Sequence, residues 1–408
     1  MSVVQEQVFH SADLAELPVE DLFARLIREA VSHHASDLFF LGNEDSLAVQ
    51  MRCDGRVVHI AYVDRRHGRQ LISFVKAMAG MNISEHRRPL DGRWIYQYDD
   101  KRVDMRINCI ATLFGEDMTI RLWDRDRKFQ KLEELGFERS QLTKIKSLLK
   151  RPGGLMLVTG PTGTGKTTTL YAFLQYLNNG HRKLNTLEDP IEYSLEGIRQ
   201  SQVNPTIGVD FPQLLRAILR QAPDVVMLGE IRDMETAVTA IRAANSGHLV
   251  MATLHAPVAA GAIHNLLAFG VNPVFLSSCL LGVVAQRLIR KLDPATRVPY
   301  DITRAPHTFD SVQPLLSEGE GAQIFGPGPV KEGDGFSGLS GLFEVMTVNK
   351  QIRQLIAQAA ELQLIEAAAI EAGMIEFRRG ALLKVAAGVT SAEEILRDVP
   401  AEYLGLDA

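Results

Sequence analysis

The stretch Gly160-Pro161-Thr162-Gly163-Thr164-Gly165-Lys166-Thr167 contains the full pattern of a phosphate-binding loop. It directly follows an apolar run at residues 155–159 and directly precedes a helix-like run that closes at Asn178-Asn179-Gly180. Its glycines let successive backbone N–H groups point at phosphate oxygens, and a helix N-terminus adds partial positive charge. The alternative, a glycine-rich surface turn, does not explain this strand-to-helix context. The pattern predicts a nucleoside triphosphate site in which Lys166 reaches the β and γ phosphates and Thr167 binds Mg²⁺. Thr168 is the last residue of the segment predicted to contact the nucleotide.

Composition limits the class of protein. The chain has 408 residues, 46% of them hydrophobic and 23% charged, which is ordinary for a globular protein and long enough for two or three domains. A net charge of -5 argues against a surface that is basic throughout, as nucleic-acid proteins often have. Three widely spaced cysteines offer no disulfide framework and indicate a reducing compartment, so the predicted location is the cytoplasm.

Membrane attachment is predicted to be indirect. The N-terminus lacks the basic and apolar regions of a signal peptide. The best apolar run, at residues 274–285, is interrupted by two serines and is too short to span a bilayer. Any link to a membrane is therefore predicted to run through partner proteins, with no span of the chain's own.

The first part of the chain predicts a small α+β domain. Apolar residues recur at helical spacing from Val19 to Val31, and short β-like runs follow, with another helix near residues 70–78. Asp-Gly pairs at Asp54-Gly55 and Asp91-Gly92 are typical of hairpin turns. A charged stretch at 125–128 is typical of a solvated linker.

The central part predicts a mostly parallel sheet covered by helices, with strands at 155–159, 184–187, 225–228 and 249–254. Polar groups follow the last three strands at Glu188-Asp189, at Glu230 and at His255. The carboxyl ends of parallel strands open one crevice, where carboxylates can hold Mg²⁺ or orient water and a histidine can sense a γ-phosphate. Each cluster alone could be a helix cap or a loop charge, but together they predict one catalytic edge.

Four motifs in this order resemble the secretion ATPases of the type II secretion, type IV pilus and competence systems. They are GPTGTGKTTTLY, TLEDPIEY, VVMLGEIRDMETA and GHLVMATLHA, which resemble the family's phosphate loop, Asp box, Walker B and His box. The resemblance extends over roughly residues 19–398. It implies an α/β fold, with a P-loop NTPase core of RecA-like type, a small α+β N-terminal domain and a helical C-terminal region.

The resemblance also implies residue roles. Glu192 would be the general base that orients water, and Glu230 would act through Mg²⁺ or its water. His248 and His255 would be paired histidines that couple the γ-phosphate to domain movement, although His248 could instead cap a helix after Ser246-Gly247. The nucleotide would bind between the two main domains. Arginines of the N-terminal domain would close the site, and the matching positions are Arg93, Arg106 and Arg121.

Two departures from the family pattern bear on the interpretation. The assembly and type II branch usually carries two Cys-x-x-Cys pairs that hold zinc, whereas residues 292–345 contain no cysteine, so we predict no zinc. A helix that begins near Val19 leaves no room for the extra N-terminal domain by which many assembly ATPases dock to a membrane partner.

These observations predict the following organisation: a flexible N-terminus at 1–17, a PAS-like α+β domain at 18–124, a linker at 125–132, the P-loop ATPase core at 133–292, a Gly/Pro-rich loop in place of the zinc region at 293–340, and a helical C-terminal subdomain at 341–408.

The function predicted is an ATP-hydrolysing homo-hexameric motor that powers type IV pilus assembly or type II-like secretion with an inner-membrane platform or docking protein. A pilus retraction ATPase and a conjugative DNA-transfer ATPase remain alternatives, although the acidic balance argues against a nucleic-acid partner. A protein that binds ATP only as a structural switch is a further alternative, and the intact Glu192 and Glu230 argue against it.

Overall fold

The computed structural model describes residues 17–124, 130–204, 207–302, 307–329 and 334–406. The chain divides into two compact units, Met1–Lys128 and Phe129–Ala408, each described by itself below. Most of the predicted flexible N-terminus, 1–17, and most of the predicted linker, 125–132, lie outside the described residues.

The N-terminal unit is an antiparallel sheet with two helices on one face. Its helices are α1 (Val19–Ser32) and α2 (Arg65–Met78). Its strands are β1 (Asp37–Gly42), β2 (Ser46–Cys53), β3 (Arg56–Asp64), β4 (Leu90–Tyr98), β5 (Lys101–Thr112) and β6 (Gly115–Asp124), in the order β3-β2-β1-β6-β5-β4. Alternate residues of each strand pack with α1 and α2 in one hydrophobic core.

Helix α2 begins five residues earlier than the predicted start at 70. Asp64 accepts hydrogen bonds from the N–H groups of Arg66 and His67 and so caps the helix. The apolar pattern alone could not reveal this start, because the helix begins with two exposed arginines, Arg65 and Arg66.

The second unit is built on a seven-stranded sheet. The four predicted strands are confirmed as β7 (Gly154–Thr159), β8 (Leu184–Glu188), β10 (Val225–Leu228) and β11 (Leu249–Leu254), all parallel and buried. The sheet also contains β9 (Arg199–Gln202), β12 (Leu280–Leu292) and β15 (Phe336–Thr347), which were not predicted. The order is β15-β12-β7-β11-β10-β8-β9, and only β15 runs antiparallel to its neighbour.

Helices cover both faces of this sheet. They are α3 (Arg139–Leu149), α4 (Lys166–Leu177), α5 (Phe211–Leu219), α6 (Met234–Asn245), α7 (Ala259–Ala268) and α8 (Pro273–Cys279), followed after β15 by α9 (Lys350–Ala357), α10 (Leu362–Glu371), α11 (Phe377–Ala386) and α12 (Ala392–Asp398). The apolar side chains between sheet and helices form two cores, one on each face.

The predicted Gly/Pro-rich loop at 293–340 needs correction. The described part of it contains a two-stranded sheet, β13 (Val298–Tyr300) with β14 (Ile324–Gly326), and a 3₁₀ turn at Asp310–Leu315. Strand β15 begins at Phe336 and crosses the predicted boundary at 341. The main-chain groups of β15 are satisfied by β12, so the helical region begins only after Thr347.

No helix within the described parts of the chain is long and apolar enough to cross a bilayer.

Candidate nucleotide site

The phosphate-binding loop connects β7 to α4 as predicted. Gly160, Gly163 and Gly165 have φ angles of 148°, 81° and 82°, values that L side chains rarely adopt. A Cβ atom at residue 160 would lie 2.5 Å from the carbonyl oxygen of Gln286. Pro161, Thr162 and Gly163 are exposed, whereas residues 164–168 are half-buried. The loop is thus exposed at a helix start, a position that suits an anionic ligand.

Lys166, the first residue of α4, reaches back across the loop. Its Nζ donates to the carbonyl oxygens of Gly160 at 2.8 Å and Pro161 at 2.9 Å. Partial burial lowers the pKa of Lys166, and the negative charge of Glu230 acts in the opposite direction. The ammonium group therefore lies within the electrostatic influence of the Walker B carboxylate.

Gln286 supports the loop from strand β12. Its side chain is buried and donates from Nε2 to the carbonyl oxygen of Thr164 at 2.5 Å. Gln286 is not among the site residues predicted from the sequence. An amide inside the apolar run at 280–289 is a signal that could have revealed it, because a buried polar group needs a hydrogen-bonding partner.

Hydrogen bonds join the carboxyl ends of the central strands. Thr159 at the end of β7 accepts from the N–H of Ala256 at 2.7 Å and donates to its carbonyl oxygen at 2.8 Å. The N–H of Gly229 donates to Leu187, and the Thr253 hydroxyl donates to Gly229 at 2.5 Å. These contacts bring the loop, Walker B and the end of the His box to one edge of the sheet, as predicted.

Glu230 and His255 meet at this edge. His255 Nε2 lies 2.9 Å from Oε1 of Glu230, and the Arg232 Nε donates to Oε2 at 2.8 Å. The Glu230 side chain is 19% exposed and that of His255 is 46% exposed, so both remain accessible to a ligand. Thr167 is half-buried on α4. Together they provide a carboxylate and a hydroxyl, the oxygen donors that Mg²⁺ prefers.

Glu188 corrects the sequence interpretation. We predicted a nucleotide contact, but its carboxylate is buried and accepts from the hydroxyl of Tyr171, from Thr186 at 2.6 Å and from Gln200 at 3.0 Å. A carboxylate that is satisfied inside the protein in this way is not available to a ligand. Burial, and then the negative charge of Glu188, raise the pKa of Tyr171 and keep its phenol protonated as a donor.

The same Tyr171 connects Glu188 to Glu192. The backbone N–H of Glu192 donates to the phenol oxygen at 3.4 Å, and Glu192 itself is half-buried. Gln200 of β9 holds the intervening loop through its contacts with the backbone of Tyr193 and Leu195. Tyr171 and Gln200 are further residues that our sequence analysis missed, and nothing local in their sequence marks them.

Asp189 is exposed at the end of β8 and lies 3.6 Å from the Arg232 guanidinium. It remains on the same side of the sheet as Glu230, which also contacts Arg232. Asp189 therefore stays among the candidate ligand contacts, unlike its neighbour Glu188.

His248 is not paired with His255 at this edge, contrary to the prediction. It precedes β11 whereas His255 follows it, so the length of the strand separates them by about 20 Å. The N–H and Nδ1 of His248 both contact the carbonyl oxygen of Ala243 at the end of α6, at 3.2 and 3.0 Å. The helix-capping alternative accounts for this geometry.

The three predicted arginines lie in one row on the face of the N-terminal sheet opposite α1 and α2. Arg93 is opposite Arg106, Arg106 is opposite Arg121, and Arg121 is opposite Asp37. Arg93 forms a two-point contact with Asp104, Arg121 lies 3.2 Å from Asp37, and the Arg106 guanidinium lies over the Trp123 ring. Like charges in directly opposed positions disfavour folding, and Asp104 and Asp37 offset this repulsion at two of the three positions.

Comparison with known proteins identifies the family. Residues 12–397 match the family model described as Type II/IV secretion system protein. The chain belongs to this family. It is 40% identical over 396 residues to the Type II secretion system ATPase E of Vibrio cholerae, covering 96% of this chain and 77% of that protein. It is 36% identical over 394 residues to the Type IV pilus assembly ATPase PilB of Thermus thermophilus, covering 96% of this chain and 44% of that protein.

Solved structures agree in fold. The ATPase DotB of Legionella pneumophila has a TM-score of 0.72 at 19% identity, covering 95% of this chain and 98% of that one. The pilus retraction motor PilT with bound ADP has a TM-score of 0.62 at 24% identity, with 92% and 96% covered. The predicted RecA-like P-loop fold is confirmed. Family membership makes the chain a motor ATPase of the secretion and pilus class, as its motifs predict.

Proposed function

We propose that this family member hydrolyses Mg²⁺-ATP and uses the reaction to drive type II-like secretion or pilus assembly. The observation that carries this proposal is the meeting of Lys166, Glu230 and His255 at one edge of the sheet. The shortest distance among them is 2.9 Å, between His255 and Glu230. The negative charge of Glu230 acts to raise the pKa of Lys166. A cation, an acid and an imidazole beside a phosphate-binding loop are the groups that phosphoryl transfer to water needs.

The residues fit Mg²⁺-ATP. The loop is packed too closely for a side chain at residue 160, where a Cβ would lie 2.5 Å from the carbonyl oxygen of Gln286. Its residues 161–163 are exposed to a ligand, and the N-terminus of α4 adds partial positive charge. Thr167 and Glu230, directly or through water, would hold Mg²⁺, which in such sites is bound by one or two protein groups together with phosphates. Bound there, the metal would neutralise charge on the β and γ phosphates. We propose Asp189 and residues 160–168 as the other nucleotide contacts.

Glu192 would supply the base. It would orient a water molecule whose oxygen bonds to the γ-phosphorus as the bond to the bridging oxygen breaks. The electron pair would leave with ADP, and Glu192 would accept the water proton. Lys166 and the arginines would balance the charge that spreads over the transferred oxygens.

Arg93, Arg106 and Arg121 are proposed as phosphate contacts. Adjacent strands hold them side by side, so the sheet fixes their spacing before a ligand binds. A guanidinium stays charged at all relevant pH values and binds phosphate through two hydrogen bonds. Removing Arg106, which lies over the Trp123 ring, should therefore affect turnover more than folding, whereas removing Arg93 or Arg121 should also weaken the fold because each contacts a buried carboxylate.

The assembly and location are proposed by family. We propose a homo-hexamer in the cytoplasm that acts on an inner-membrane platform or docking protein. The aligned type II secretion relatives favour secretion or pilus extension over retraction. The absence of zinc stays a prediction that metal analysis of the purified protein would test.

The test is phosphate release by the full chain, measured against protein concentration with light scattering on the same samples. Glu192→Gln should nearly abolish turnover while ATP binding survives, and Lys166→Ala should abolish both. Glu196→Gln is the matched control, because Glu196 lies in the same loop and is exposed. Activity that rises with a species of about six chains would support the ring motor.

Two outcomes would contradict the proposal. Substantial multiple-turnover activity in Glu192→Gln would refute the role of Glu192 as general base. Full specific activity in a monomer would refute the proposal that the active form is a ring. Stimulation by single-stranded DNA would point instead to a DNA-transfer motor.

A further inference from the structure

One buried carboxylate is shared by the starts of two helices. Glu344 of β15 is 2% exposed. Its Oε2 accepts a hydrogen bond from the N–H of Ala259 at 2.9 Å, and its Oε1 accepts one from the N–H of Phe377 at 3.2 Å. Ala259 is the first residue of α7 and Phe377 is the first residue of α11.

Neither helix is capped by its own preceding residue. Val258 before α7 has no polar side chain, and Glu376 before α11 makes no capping hydrogen bond. The first N–H groups of a helix lack partners within the helix and carry partial positive charge. Glu344 therefore replaces the two missing caps with a single negative group from the neighbouring strand.

Helix α7 is linked directly to the nucleotide site. Its first residue, Ala259, lies four positions after His255, and its Asn265 side chain donates to the carbonyl oxygen of His255 at 2.9 Å. His255 in turn lies 2.9 Å from Glu230. Helix α7 thus contacts the backbone of the residue whose imidazole meets Glu230.

We propose that Glu344 is a positioning residue for catalysis, whose ionised carboxylate holds the start of α7 and thereby the orientation of His255 toward Glu230. The contact with α11 makes the placement of the C-terminal helices and of His255 interdependent. This inference rests on the proposed function, because it assigns His255 and Glu230 to the reaction.

The groups around Glu344 decide when it is ionised. Arg287 of β12 attracts its negative charge, whereas Glu366 of α10 and Glu376 repel it, and Tyr403 lies in the same surroundings. Burial raises the pKa of Glu344 to about 7, against the effect of its two backbone hydrogen bonds. The hydroxyl oxygen of a protonated carboxyl is a weaker acceptor than a carboxylate oxygen, so protonation weakens one of the two contacts.

The kinetic test is ATP turnover by the full chain from pH 6 to pH 8.5. Glu344→Gln should lower kcat at pH 8 by up to about 100-fold, with KM for ATP changed less than about twofold. In the wild type, kcat should fall as the pH is lowered through about 7. The kcat–pH profile of Glu344→Gln should lack this acid limb. Glu366→Gln, a matched change of the neighbouring acid, should keep that limb and displace it toward lower pH.

A rescue separates positioning from general loss of stability. Val258→Ser supplies α7 with a cap of its own, since the backbone at 258 is extended as a cap requires. The double variant Val258→Ser/Glu344→Gln should recover most of kcat. Glu376→Ser/Glu344→Gln, which caps α11 instead, should not. Recovery by both or by neither would overturn the proposal.

Hydrogen exchange on the nucleotide-free chain tests the contact independently of turnover. Amides at 259–262 and 377–380 should exchange faster in Glu344→Gln, and Val258→Ser should restore only the first group. Unchanged exchange at 259–262 would overturn the proposal even in an active protein. An inactive wild type with the expected exchange would instead refute the proposed function and leave the role of Glu344 in holding α7 intact.

Discussion

His255 Nε2 lies 2.9 Å from Oε1 of Glu230, although the two residues follow different strands of the central sheet. The imidazole can therefore hold the carboxylate in place while a phosphate group binds beside it. This contact supports the first of four predictions, which separate effects on catalysis from effects on folding.

Replacing His255 should impair turnover without preventing nucleotide binding. His255→Asn keeps a polar side chain but cannot reach Glu230 in the same way, and we expect kcat to fall by about 100-fold. The matched control is His264→Asn, because His264 is an exposed histidine on α7. Steady-state phosphate release and nucleotide titration of both variants check this. Equal losses in the two would refute a specific role for His255.

Removing the Tyr171 hydroxyl should lower both the stability and the turnover of the protein. Tyr171→Phe leaves the buried carboxylate without its phenol donor, so the free energy of unfolding should fall by about 1–3 kcal/mol. Turnover should also fall, because the same phenol contacts the backbone of Glu192. Tyr176→Phe on the same helix keeps its ring beside Lys146 and serves as the control. Denaturant unfolding and phosphate release measure the two effects, and a variant as stable as the control would contradict the first.

Replacing the central arginine of the row should reduce activity strongly and change stability little. Arg106→Ala should reduce kcat by about 10³-fold if the guanidinium contacts phosphate. Its free energy of unfolding should change by less than about 1 kcal/mol, because relief of repulsion from Arg93 and Arg121 offsets the lost contact with Trp123. Arg102→Ala, an exposed arginine of the same strand, is the control. Wild-type turnover in Arg106→Ala would exclude this residue from the site.

Glu344 should make stability decrease as pH rises. Its pKa is raised from 4.5 to about 7, so folding favours the neutral form. The stabilisation is fully present below pH 4.5 and is lost as pH increases to about 7. The difference in unfolding free energy between the wild type and Glu344→Gln should therefore shift by about 3 kcal/mol between pH 5 and pH 8. Urea unfolding at fixed pH values measures it. A wild type that gains stability relative to the variant over this range would show that the carboxyl is not buried as described.

The catalytic edge was predictable from sequence because its motifs are local. The loop pattern at 160–167 and the polar residues after each parallel strand lie within short segments, and the sheet brings parallel strand ends together. The same reasoning assigned Glu188 and Glu192 to the nucleotide site, and the prediction for Glu188 was wrong. Its burial depends on Tyr171 and Gln200, which come from a helix and an edge strand elsewhere in the chain.

The remaining errors share a cause in long-range pairing. The run at 280–292 has no alternation that distinguishes a buried strand from a buried helix, and its antiparallel partner β15 begins more than forty residues later. His248 and His255 occur in one motif, yet a straight strand places them at opposite ends. Motif membership therefore indicated importance but not proximity.

The pairing of β12 with β15 also bears on biosynthesis. Gln286 of β12 supports the phosphate-binding loop, but β12 gains its second neighbour only when residues 336–347 have emerged from the ribosome. Glu344 belongs to that last strand, and one of its partners, Phe377, is translated later still. Pairing between distant segments forms late in folding. A nascent or prematurely terminated chain would therefore carry the loop before β15 and the Glu344 contacts to the two helices are in place.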